Sequence, residues 1–184
     1  MQLEQNVLKV GIDINKSFLL HSKEYCNVVL ASASHLPLKD ASIDLVFFDL
    51  VLHHLKGQQI LGVSMKEVHK VLVDGGILIA IEPSSLNPSG FLMNAINMFH
   101  LYSRLFGGSS YEYALSPKEI RALLSDFYSV EIKALTFLHP RLPVYLQRFI
   151  LKYERSLMKW LRIFAWIFLI TAHNCRRKAC VIER

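Results

Sequence analysis

Glycine and proline are scarce, eight and six of 184 residues, and they follow no period. That excludes collagen-like and proline-rich low-complexity chains. Charged residues make up only 20% of the sequence against 52% hydrophobic, which excludes intrinsic disorder and marks a chain that buries much of its surface. The three cysteines, Cys26, Cys175 and Cys180, include no close pair. A disulfide scaffold and a standard zinc motif are therefore excluded, and three reduced thiols of a cytosolic protein are expected. The opening MQLEQNVLKV lacks a basic segment followed by a long apolar core, so no secretory leader is read there. No repeat is found, and the length predicts one domain spanning residues 1–184.

Excess positive charge is missing from most of the chain. Residues 1–140 carry 11 Lys/Arg against 13 Asp/Glu, whereas residues 141–184 carry 10 against 2. The whole net charge of +6 therefore originates in the last quarter. Such a patch suits nucleic acid, an anionic membrane surface or an acidic partner.

What is present is an alternation of apolar runs and helical patterns. Residues 7–14 (VLKVGIDI), 27–32 (NVVLAS), 43–49 (IDLVFFD), 76–82 (GILIAIE), 130–138 and 179–183 (ACVIE) read as strands. Several are almost wholly apolar, as in strands buried on both faces of a parallel sheet. Residues 16–24 read as a helix with Asn15 as N-cap, and 63–72 and 91–106 as further helices. Gly75-Gly76 is read as the stop of the second of these helices. Ser116-Pro117-Lys118-Glu119 is a capping box that opens another. The alternation predicts an α/β fold with a mainly parallel sheet.

Residues 144–172 fit this alternation least well and read as one long helix, within a helical basic and aromatic insertion at 139–178. Arg148, Lys152, Arg155, Lys159 and Arg162 recur at intervals of four and three, which lays five cations along one face. The uncharged run 163–172 is about half the ~20 residues needed to span a bilayer. The segment reads either as a helix lying on an anionic membrane or as one packed on the domain with a solvated basic edge. Nucleic acid is not expected as a partner, because aliphatic surface interrupts the basic tail.

Ligands of open α/β sheets bind at the carboxyl ends of strands, which puts Asp13, Ser32, Asp49 and Glu82 forward. A carboxylate ending a strand can accept two hydrogen bonds from the vicinal hydroxyls of a ribose. Asp13 suits that role, and equally suits plain capping of the next helix. The histidines have no metal-ligand spacing, and no metal site is expected. A nicotinamide-binding domain also needs a Gly-rich turn before the strand that Asp13 ends, and it leaves the later motifs unexplained.

The motifs Gly11-Ile12-Asp13-Ile14, Ala33-Ser34-His35-Leu36-Pro37-Leu38, Ser42-Ile43-Asp44-Leu45-Val46, Leu52-His53-His54-Leu55 and Glu67-Val68-His69-Lys70-Val71-Leu72-Val73-Asp74-Gly75-Gly76 occur in this order. In that order the sequence resembles class I S-adenosylmethionine-dependent methyltransferases, in the group that includes ubiquinone and menaquinone biosynthesis enzymes. The resemblance covers residues 7–83, and more loosely 115–138. It implies a three-layer Rossmann-like α/β sheet, S-adenosylmethionine as cofactor, and a small-molecule, hydrophobic or lipid-like acceptor. Apart from the resemblance, the cysteine usage implies a cytoplasmic location, and the basic, aromatic stretch 144–172 implies peripheral contact with an anionic membrane. By position, Asp13 matches the residue holding the cofactor ribose, and Ser32 and Ala33 the pair at the adenine. Ser32 stands where the family usually has Asp. Phe48 and Asp49 match the end of the family's fourth strand, beside the methionine part of the cofactor, and Glu82-Pro83 the end of its fifth. His54 and Asp49 are the candidate catalytic bases; His54 reads equally as a cap of its local helix.

One departure is large. No G-x-G occurs in the 184 residues, so the family's first strand and its Gly-rich loop are not read in this sequence. The sequence is read as starting, truncated, at the helix before the family's second strand. The sheet must then close the gap, borrow a strand or expose unpaired edges. Two functions follow: a methyltransferase, or a non-catalytic chain of that fold serving as an interaction or membrane-surface module.

Overall fold

The computed structural model describes residues 7–88, 91, 94, 95, 113–138 and 143–175. Its elements run β1 (Val10–Asp13), α1 (Lys16–Ser22), β2 (Asn27–Leu30), β3 (Ile43–Asp49), α2 (Leu52–Gly57), α3 (Leu61–Val71) and β4 (Leu72–Pro83). They continue with α4 (Pro117–Leu123), β5 (Ser129–Thr136), α5 (Val144–Leu161), a 3-10 turn (Arg162–Phe164) and β6 (Ile167–His173). The expected strand at 179–183 lies outside the described residues, as does most of the expected helix at 91–106.

Local chemistry accounts for most of these boundaries. Asn15 caps α1, its side chain accepting from the Ser17 N–H at 2.9 Å. α3 ends at Val71 and the chain passes at once into β4, with Leu72 already extended. Gly75-Gly76 is therefore not a helix stop but a bulge within β4. The register jumps there from Ile43 opposite Leu72 to Leu45 opposite Ile77. Gly75 sits at φ +80°, open to glycine, and a Cβ on Gly76 would lie 3.0 Å from the Val73 carbonyl. Asn174 secures the bulge from β6, its amide donating to the Leu72 and Val73 carbonyls.

The long helix expected over 144–172 is corrected. α5 and its 3-10 turn end at Phe164, and 167–173 is a strand in the middle of the sheet. The run Ile167–His173 is continuously apolar at its start, and periodicity cannot separate a buried strand from a buried helix in so short a run. Its β-branched Ile167, Ile170 and Thr171 suit the pleat, and hydrogen bonds to strands on both sides decide the matter. Among the described residues no helix is long and apolar enough to cross a membrane.

The strands form two sheets. β1 and β2 are a parallel pair; β3, β4, β6 and β5 form a four-stranded sheet in that order. β3 and β4 are parallel, and β6 is antiparallel to both its neighbours. Of the three outcomes expected for the sheet, unpaired edges are the one seen among the described residues. Among the described residues β1 and β3 each have a single strand neighbour.

One face of the larger sheet is fully covered. Leu78, Ala80, Ile170 and Ala172 pack there against Leu52 of α2, Met65 and Val68 of α3, and Ile120 of α4, all buried. Burying side chains of this size contributes about 1.5–3 kcal/mol each before entropy is counted. The opposite face is less covered. Leu45 and Phe47 share it with their register partners Ile77 and Ile79, and stand 39% and 54% exposed. Cys26 is a free thiol. Cys175 is disulfide-bonded, which corrects the expectation of three reduced thiols.

The capping box of α4 forms as expected. Ser116 Oγ accepts from the Glu119 N–H, and the Ser116 N–H donates back to the Glu119 carboxylate at 2.8 Å. Lys56 of α2 also donates to Glu119, at 2.6 Å, tying the two helices together. Partial burial opposes ionisation of Glu119, but Lys56 and Ser116 outweigh it and hold the carboxyl below the ordinary value of 4.5. The stabilisation is therefore present above 4.5 and lost as pH falls through the depressed value. Glu119→Gln keeps the box but removes the charge. It is expected to lower stability by about 0.5 kcal/mol at neutral pH, with the difference from wild type closing in acid, read by urea denaturation across pH.

Candidate functional site

β1 to β4 present their carboxyl ends as the place where an open α/β fold receives ligands. β1 finishes at Asp13, β2 at Leu30 just before Ser32 and Ala33, β3 at Asp49, and β4 at Glu82-Pro83. The sequence-predicted residues fall into two groups, one on each sheet. Leu36 joins the groups, its N–H donating to Glu67 of α3 at 3.1 Å. Ala33 and Leu36 also pack against the main core. Asp13 and Asp49 share no bond.

Asp13 carries out the local role and leaves room for the other. One carboxylate oxygen accepts the Asn15 N–H at 2.7 Å, a turn that sets up the cap of α1. The second oxygen has no hydrogen-bond partner among the described residues. Ser32 closes a turn of its own: its Oγ lies 2.9 Å from Ser34 Oγ and accepts the Ser34 N–H at 3.2 Å. Its hydroxyl is thus partly engaged before any ligand is considered.

On the larger sheet, Phe48 is half-buried against the core, and Asp49 is exposed with no ion pair among the described residues. Leu50 follows with φ +55°, a left-handed conformation that a branched side chain rarely adopts. Its N–H donates to the Ile81 carbonyl at 2.9 Å, and the reversal delivers the chain into α2.

There the structure assembles a group that sequence reasoning did not. Glu82, fully buried, accepts from the N–H groups of Val51 at 2.8 Å, Leu52 at 2.6 Å and His53 at 3.3 Å. His53 Nδ1 lies 2.8 Å from the same carboxylate. Three backbone N–H groups already donate to the carboxylate, and an ionised Glu82 can only accept, so toward it Nδ1 is the protonated nitrogen. The signal for this pair was a lone carboxylate at the end of GILIAIE, because a buried charge demands donors. His54 neighbours the pair, its ring 4.1 Å from the His53 ring and tilted by 38°. His69 of α3 is half-buried with its ring edge-on to Phe127.

Glu82→Gln tests how far this end of the sheet depends on the carboxylate. An amide nitrogen would face N–H groups that now find an acceptor. A loss of about 3 kcal/mol in urea denaturation is expected, well beyond that of a surface change.

The profile of a family described as methyltransferase domain matches residues 2–80. The ubiquinone/menaquinone biosynthesis C-methyltransferase UbiE of Campylobacter jejuni is 31% identical over 146 residues, which is 72% of this chain. The chain spans 60% of the length of that relative. An S-adenosylmethionine-dependent methyltransferase from Thermotoga maritima superposes with a TM-score of 0.65 at 16% identity, over 90% of this chain and 72% of that one. One from Archaeoglobus fulgidus gives 0.60 at 15% identity, over 90% and 75%. These two likenesses establish the fold.

Proposed function

The chain belongs with the class I S-adenosylmethionine-dependent methyltransferases in sequence signature and fold, and on that premise we propose that it binds S-adenosylmethionine and methylates a small quinone-like acceptor. The observation that carries the reading is the state of Asp13: a carboxylate at a strand's carboxyl end, with one oxygen fixed in a turn and the other unengaged. That is the arrangement a ribose diol needs. Ala33, with the backbone at Ser32, borders the adenine; Ser32 contributes a neutral acceptor at most. Phe48 and Asp49 border the amino-acid end. The cofactor supplies an activated methyl group, and the protein's work is to hold the acceptor in line with it. Asp49 and His54 stand as candidate bases on the acceptor side. The quinone-like acceptor is supported by the relative named for ubiquinone and menaquinone biosynthesis.

The residues fit the nucleoside half of the cofactor better than its other half. No Gly-x-Gly turn is present among the 184 residues to let backbone approach the methionine portion. Recognition therefore rests on the nucleoside. In calorimetric titration, S-adenosylmethionine and 5′-methylthioadenosine are expected to bind within about tenfold of each other. Asp13→Asn should weaken both by about tenfold or more, because it removes a charged acceptor while keeping the turn. Absence of heat from both at millimolar concentration leaves the non-catalytic reading.

The acceptor is met at a membrane surface. α5 has no buried residue. Gln147, Ile150, Glu154, Leu157 and Met158, partly buried, turn toward the sheet. Glu154 anchors that side by accepting from Thr136 Oγ1 at 2.7 Å. The outer side carries Tyr145, Phe149 and the 78%-exposed Trp160 beside Arg148, Lys152 and Lys159. Aromatic rings beside cations, facing away from the protein, suit the interface of an anionic bilayer. The support comes from 144–164 alone, since 167–173 lies in the sheet. The chain is expected to sediment with phosphatidylglycerol vesicles and not with phosphatidylcholine vesicles. Lys152→Glu with Lys159→Glu should abolish co-sedimentation; retained binding by this variant refutes the membrane half.

A further inference from the structure

We propose that His53 is the general base that removes a proton from the methyl acceptor. The inference rests on the methyltransferase reading and adds to it the residue.

Three observations lead there. First, His53 lies at the start of α2, directly after the carboxyl end of β3 and beside that of β4, on the side where ligand is expected. Second, its Nδ1 is fixed by the buried Glu82 at 2.8 Å. With Nδ1 holding the proton, the neutral ring leaves Nε2 as a lone-pair acceptor. Third, Nε2 has no hydrogen-bond partner among the described residues, yet it is not among the fully buried unpartnered atoms. The side chain keeps 9% exposure. The ring is thus held by one nitrogen, while the other is not sealed from solvent. Asp49 is exposed and, among the described residues, has no second group to orient it. A carboxylate that fixes an imidazole's tautomer and steadies the cation formed on proton uptake is the arrangement general-base histidines use.

The step balances. The acceptor's O–H bond breaks and its proton passes to Nε2. The electron pair so released, on oxygen or through the ring on carbon, forms the new bond to the methyl group. The sulfur–methyl bond breaks with its pair remaining on sulfur, which becomes a neutral thioether. Glu82 faces the resulting imidazolium, and the proton then leaves Nε2 for solvent.

The test uses the whole chain, S-adenosylmethionine with a labelled methyl group, and 1,4-naphthohydroquinone as acceptor probe. His53→Gln can still donate to Glu82 but has no base. Transfer by this variant is expected to fall by about a hundredfold or more, with calorimetric affinity for the cofactor unchanged. In His53→Ala, added imidazole should restore part of the rate, an effect that a merely structural role does not produce. Transfer by His53→Gln within about threefold of wild type overturns the proposal. A second readout stands apart from turnover: nitrogen NMR of the wild-type chain, with the His53 Nε2 signal identified by its loss in His53→Gln. That signal is expected to show an unprotonated Nε2 that shifts when naphthohydroquinone is added. A protonated Nε2 at neutral pH, or no shift, overturns the proposal. A chain that shows the shift but transfers no methyl group refutes the methyltransferase reading while upholding His53 as the acceptor's partner.

Discussion

A carboxylate withdrawn from water must find donors for its lone pairs, and the chain around Glu82 is arranged to supply them. Three successive N–H groups and one imidazole converge on it. Unpaired, such a charge would cost several kcal/mol; with four donors the cost is offset. Much of the local geometry follows. α2 begins where it does because its first N–H groups are satisfied there, although Val51 offers no capping side chain. The left-handed Leu50 is tolerated because the turn on either side of it is pinned to β4. The end of β3, the end of β4 and the start of α2 thus move as one body.

The other half of the candidate site is built differently. β1, α1 and β2 bury little: Leu19 is the buried member of α1, and Phe18 is 64% exposed. Among the described residues their strands pair only with each other. Asp13 therefore rides on a little-buried unit, and Glu82 on the packed core. Regions with few buried contacts open at lower free energy than the core. A ligand that bridged Asp13 and the β3–β4 ends would join two units whose connection otherwise runs through Ala33, Leu36 and Glu67.

Much of the fold was legible because local signals agreed with one another. Asn15 before an amphipathic run, the Ser116–Glu119 box and the apolar run of β3 each name one structure, and each forms as read. Gly75-Gly76 was misread because a glycine pair after a helical pattern resembles a helix stop. Here it serves a bulge whose partner, Asn174, is a hundred residues away in the chain. β6 was misread for a similar reason: its neighbours are distant in sequence, and no local pattern marks an apolar run as a strand. At the site, Asp13 was visible as a strand-ending carboxylate, but its divided use was not. The His53–Glu82 pair was hidden because its members stand 29 residues apart, and only the parallel alignment of β3 with β4 brings them together.

The place of β6 also bears on the order in which a growing polypeptide can settle. β4 is flanked by β3, made earlier, and by β6, made last among the described strands. A nascent chain that has left the ribosome as far as α5 carries β4 with one bare margin. β5, already synthesised, has no strand neighbour among the described residues, since its ladder is formed with β6. Both gaps close in a single event when 167–173 slides between them, antiparallel to each. Residues 167–173 must therefore have been made before this sheet acquires its cooperativity. Until then, holding factors that shield apolar strands have their longest opportunity to act.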